Sequence, residues 1–154
     1  MESSGGPTLV IIVPGNHDQC FETLLGAARE LFGASVHVLE DEPLMLEGVT
    51  FYGSPSTSPF MRWHFMAEES RLATLYHNMP ASVDVLVTHG PPYGILDPGW
   101  NLMHAGSTSL AAAVAECNVR HHVLATCMEP TVRWSSRVIR SSTMSQRATN
   151  NIGL

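Results

Sequence analysis

Two short stretches of this 154-residue chain carry side chains able to do chemistry together: Gly15-Asn16-His17-Asp18 and Thr88-His89-Gly90-Pro91-Pro92. An Asn amide oxygen is a hard donor, and an imidazole can bind a metal ion or pass a proton. A carboxylate beside that imidazole can orient it and raise its basicity. The same tetrapeptide also suits an Asx-turn, with Asn16 bonded to its own backbone and His17 in solvent. His89 is open to two readings as well, a ligand or a hydrogen-bonded strand-end residue. Gly90 permits close backbone approach there, and Pro91-Pro92 fixes the exit of the chain.

Both stretches follow apolar runs that read as strands. Residues 8–13 and 83–88 are continuous and rich in β-branched side chains, the pattern of strands buried on both faces, and residues 122–125 repeat it. Residues 21–32 show helical spacing of Leu24, Leu25, Ala28, Leu31 and Phe32, closed by Gly33. Residues 36–39, 44–46 and 49–52 read as short strands, the last two joined by Glu47-Gly48 as a tight hairpin. A Ser/Pro-rich loop at 54–59 leads to Phe60, Trp63, Phe65 and Met66, which read as a packed satellite core. Helices are expected over 67–76 and 107–116, the second capped by Ser107 or Ser109, and one more strand over 137–141. Strands alternating with helices, plus a hairpin, give an α/β protein with a mixed sheet. The runs 8–13, 83–88 and 122–125 are expected as neighbours. Their C-terminal ends would bring Asn16 and His89 to one sheet edge, with His17 near both.

Composition bounds the rest. With 44% hydrophobic and 14% charged residues the chain suits a single domain over 8–154 after a flexible start at 1–7. Its net charge is -6, with eight Arg and no Lys, which argues against non-specific nucleic-acid binding. Arg133, Arg137, Arg140 and Arg147 make the last stretch locally basic, either to face an anion or as ordinary solvated charges. No apolar run approaches the roughly 18 to 20 residues of a membrane span. The acid at Glu2 is unlike a signal peptide, so the expected compartment is the cytoplasm. Cys20, Cys117 and Cys127 show no Cys-x-x-Cys spacing and read as reduced thiols.

Taken together, Gly15-Asn16-His17-Asp18 and Thr88-His89-Gly90-Pro91-Pro92 resemble the calcineurin-like metallophosphoesterases. The segment Phe51-Tyr52-Gly53-Ser54-Pro55, then Pro59-Phe60 and Trp63, then residues 85–97 ending in Gly94-Ile95-Leu96-Asp97, is similar to one branch of that superfamily. That branch is the metallophosphoesterase-domain proteins with cyclic-nucleotide phosphodiesterase activity, and the likeness runs from about residue 9 to 151. The resemblance implies that Asn16 and His89 are ligands of a second divalent metal (manganese, iron or zinc). It makes His17 the proton donor to the leaving oxygen, oriented by Asp18. The substrate would be a small phosphoester or nucleotide, attacked by metal-activated water.

The departures are as specific. The family's Asp-x-His and Gly-Asp-x-x-Asp/Asn motifs precede the Asn-His pair, yet only fourteen residues precede Gly15, none of them Asp or His. The later Gly-His-x-His motif is replaced by Ala125-Thr126-Cys127-Met128, and Cys127 is placed to point away from the lost ligands. The expectation is therefore a partial metallophosphoesterase-type sheet sandwich flanked by helices, a truncated domain in which mono- or diester hydrolysis is impaired. The alternative is a catalytically dead pseudo-phosphoesterase acting as a nucleotide- or protein-binding module. The unpaired sheet edge left by missing strands is expected to promote self-association.

Overall fold

The computed structural model describes residues 9–99 and 103–124. The element order is β1 (Val10–Ile12), α1 (Gln19–Leu31), β2 (Val36–Val38), β3 (Glu42–Leu46), β4 (Val49–Ser54), α2 (Glu69–His77), β5 (Ser82–Thr88), α3 (Thr108–Glu116) and β6 (Asn118–Leu124). The α/β class and mixed strand directions agree with the sequence. The expected strand at 137–141, Cys127 and the C-terminal arginines from Arg133 onward lie outside the described residues, as does the start at 1–7.

Two sheets form. β1 pairs in parallel with β2, and a four-stranded sheet runs β3-β4-β5-β6, with β3 antiparallel to β4 and the other pairs parallel. The expected adjacency of 8–13 with 83–88 is thus corrected: β5 and β6 are neighbours, but β1 belongs to the other sheet. Nor is β1 buried on both faces, since Leu9 and Val10 are exposed. The hairpin turn occurs where expected, with Glu47 at φ 49° and Gly48 at φ 78°. These left-handed values match the strand twist of a two-residue loop.

One core lies between the larger sheet and α2 with α3. Tyr52, Leu72, Leu86, Val83 and Leu110 are fully buried there, joined by Tyr76, Met79 and Val119. Replacing a fully buried leucine such as Leu86 by Ala would cost about 2 to 5 kcal/mol. The two sheets meet at Gly53, where an added Cβ would stand 2.4 Å from the Leu39 Cβ and 2.8 Å from Val13. No side chain fits at that approach.

α3 begins at the Ser107 cap, whose side chain accepts from the Leu110 N–H at 3.0 Å. Glu69, in the first turn of α2, accepts from Ser107, Thr108 and Ser109 hydroxyls and from the Ser109 N–H. One carboxylate therefore ties the two helix starts together. Burial raises its pKa, but these donors outweigh burial and hold it below the usual range.

Helix α1 departs most from expectation. Leu24 has φ -135° and ψ 37°, which breaks the helix, and of its apolar stripe only Ala28 is buried. Leu24 is 61% exposed and Leu31 86%. β6 starts four residues earlier than the apolar run suggested. Its alternation of exposed Asn118 and Arg120 with buried Val119 and His122 is the signature of a half-buried strand, which a search for continuous apolar residues passes over.

Candidate functional site

The chain ends of β1 and β5 converge. His89 follows β5 and extends its pairing, its N–H donating to the Ser54 carbonyl at 2.9 Å. Its imidazole lies against Gly15, and the Asn16 backbone N–H donates to His89 Nε2 at 3.2 Å. Nε2 therefore acts as an acceptor and the ring is neutral, in line with burial lowering its pKa. Residues 73 apart in sequence are thereby joined, and Asn16 is buried.

His17 and Asp18 take other partners than those expected. The Asp18 carboxylate accepts the Gly15 N–H at 2.7 Å, closing the turn rather than orienting the imidazole. His17 is exposed, with its ring centroid 4.6 Å from that of Trp63. Asn16 and His89 line the strand-end cleft, of about 340 Å3, while His17 is not among its walls.

Two loops build the rest of that cleft. Residues 55–66 supply Thr57, Phe60 and Trp63, and residues 90–99 with 103–106 supply Asp97 and His104. Trp63, read from sequence as satellite core, is a wall residue packed edge-on by Phe60 at 5.2 Å. Glu22 of α1 fixes the first loop, accepting from the Phe65 N–H at 2.8 Å and pairing with His64 Nδ1 at 2.5 Å. The His64 N–H in turn donates to the Asn16 carbonyl at 3.2 Å. Met61, Phe65 and Leu96 hold left-handed backbone at φ 57°, 55° and 53°, the first two in the 55–66 loop. For bulky side chains that conformation costs about 1 to 2 kcal/mol and is found where structure over-determines it.

Asp97 and His104 were invisible as a pair in the sequence. Asp97 is buried, accepting from the Gly94 N–H at 2.8 Å, the Gly106 N–H at 3.2 Å and His104 Nδ1 at 2.9 Å. Burial pushes its carboxyl up, yet these donors together hold it below the usual range. Beneath the cleft, Thr88 donates to the Gly90 carbonyl at 2.7 Å and lies 2.9 Å from His122 Nε2. With its one proton given to Gly90, the Thr88 oxygen accepts from Nε2–H, which assigns the His122 tautomer and leaves buried Nδ1 without a partner among the described residues. Burial lowers the His122 pKa to about 4.

Among the described residues the arrangement is incomplete as a metal site. The described residues contain no group of three or more His, Cys, Asp or Glu able to hold an ion. Asn16 and His89 offer two neutral donors, fewer than zinc takes and without the carboxylates a hard cation wants.

Comparisons with known proteins give partial homology and a shared fold. No family model matches the chain. UPF0046 protein T07D4.2 of Caenorhabditis elegans is 34% identical over 89 residues, 57% of this chain and 22% of that protein. Metallophosphoesterase domain-containing protein 1 of Homo sapiens is 38% identical over 60 residues, 38% of this chain and 18% of that protein. The chain thus spans about a fifth of the length of these relatives. A solved crystal structure matches with TM-score 0.55 at 18% identity, over 77% of this chain and 50% of that one, which shows a shared fold. The chain is thus partly homologous to metallophosphoesterase domain-containing protein 1 and to UPF0046 proteins.

Proposed function

We propose that the strand-end cleft binds a small phosphoester, a nucleotide included, and that the chain contributes part of a phosphoester-hydrolysing site. The observation that carries this reading is the junction of Asn16 with His89 at the cleft. It sits in a chain partly homologous to proteins named for a metallophosphoesterase domain. Trp63 and Phe60 offer flat apolar surface for a heterocyclic base, and Thr57, Asn16 and His104 offer polar contacts. Among the described residues no Arg lines the cleft, and an anion there is met by neutral donors and imidazoles.

The two neutral donors do not by themselves hold a divalent ion. That same shortage favours the second reading, a nucleotide- or protein-binding module without turnover. The test is hydrolysis of bis(4-nitrophenyl) phosphate and of a cyclic nucleotide by the 154-residue chain with manganese added, beside calorimetric nucleotide binding. Turnover that falls at least about tenfold in His89→Ala supports the hydrolytic reading. Binding without turnover favours the module, and the absence of both overturns the two together.

A further inference from the structure

We propose that His104, held by Asp97, is the group that delivers a proton to the leaving oxygen of a phosphoester bound in the cleft, the role that resemblance gives to His17. The assignment rests on the phosphoester reading above.

The geometry separates the two histidines. Asp97 is 4% exposed and takes the His104 Nδ1–H at 2.9 Å, which fixes one tautomer and leaves Nε2 as the nitrogen open to a ligand. Residues 97–99 and 103–105 are joined to each other. His104 bridges to Pro98, the Gly99 N–H donates to the Met103 carbonyl at 2.6 Å, and the Ala105 N–H donates to the Asp97 carbonyl at 3.0 Å. Tyr93 backs the imidazole, ring centroids 4.6 Å apart. His104 is half-exposed and forms part of the cleft wall with Asn16 and His89. His17 has none of this: among the described residues no carboxylate bonds its imidazole, and its ring packs on the wall residue Trp63 without itself lining the cleft.

In the hydrolytic step a water oxygen bonds to phosphorus and the P–O bond to the leaving group breaks. The electron pair goes to the leaving oxygen, which takes the Nε2 proton, and the surplus proton of the water passes to solvent. His104 ends neutral with Nδ1–H still on Asp97, and solvent reprotonates Nε2. The ionised Asp97 stabilises the imidazolium before transfer.

A leaving-group comparison tests this. His104→Gln keeps a donor for Asp97 but has no proton to give. On a methyl or phenyl phosphodiester, whose alcohol departs poorly, this variant of the 154-residue chain should lose about 100-fold or more in kcat. On the 4-nitrophenyl ester, whose leaving group departs as an anion, the loss should be within a few-fold, and His17→Ala should show no such difference. Equal losses on both esters, or leaving-group sensitivity in His17→Ala instead, overturn the assignment while the phosphoester reading stands.

Absence of turnover on every ester removes the hydrolytic reading, and side-chain 15N spectra then decide the contact. Inorganic phosphate should shift His104 Nε2, an effect weakened in Asp97→Asn. A shift at His89 or His17 with His104 unmoved overturns the proposal.

Discussion

A single missing carbon at Gly15 sets the position of His89. A Cβ there would stand 2.5 Å from the imidazole Cε1 and Nδ1, and 3.0 Å from Nε2. Gly15→Ala must therefore displace the ring and break the Asn16 N–H contact. The expected effect is a loss of about 1 to 3 kcal/mol in urea unfolding, the range of overpacked sites, together with a changed His89 ring resonance. An unchanged ring resonance would contradict the contact. Part of this site was legible because strand ends announce themselves: apolar runs stopped at Pro14 and Thr88, and the polar residues after them met. Asp97 with His104 was not legible, since their pairing depends on residues 97–99 meeting residues 103–105, and loops carry no period. Asp18 illustrates the same limit, because a carboxylate next to a histidine is equally close to a backbone N–H, and here the Gly15 N–H takes it.

Strand β6 is joined to the cleft floor through His122, Thr88 and the Gly90 carbonyl. His122 has a folded pKa of about 4 because it is buried, against about 6.5 when exposed. As pH falls the unfolded chain takes this proton first. The contribution is thus fully present above about 6.5 and is lost as pH falls toward 4, by at most about 1.4 kcal/mol per pH unit. Glu40 and Asp41, whose carboxyls burial raises, act in the opposite sense at the acid end. The measurement is therefore a difference: denaturant stability of the wild type should fall relative to His122→Asn between pH 6.5 and 4. Parallel curves would contradict the buried neutral imidazole. The elements themselves were largely legible where propensity and period agreed, as in the Glu47-Gly48 hairpin and the Ser107-capped helix. They failed in β6, whose polar alternate positions hid it, and in α1, whose apolar stripe predicted a buried face that the described residues leave exposed.

That exposed stripe has a consequence for the molecule. Leu24, Leu31, Leu9 and Val10 stand open beside the two-stranded β1–β2 sheet. Apolar surface next to a short sheet invites a second copy, so we expect the isolated chain to self-associate. Light scattering should show species larger than a monomer, shifted toward monomer by Leu31→Glu. A monomeric wild type that binds no hydrophobic dye would contradict this. The larger claim is that residues 55–66, 90–99 and 103–106, with Asn16 and His89, form one ligand-binding cleft. The most direct test is a titration of the 154-residue chain with adenosine monophosphate, followed by amide and indole NMR. The predicted result is saturable shifts at Asn16, Gly90 and the Trp63 indole that disappear in His89→Ala. Shifts confined to the exposed α1 face, or none at millimolar nucleotide, would contradict it.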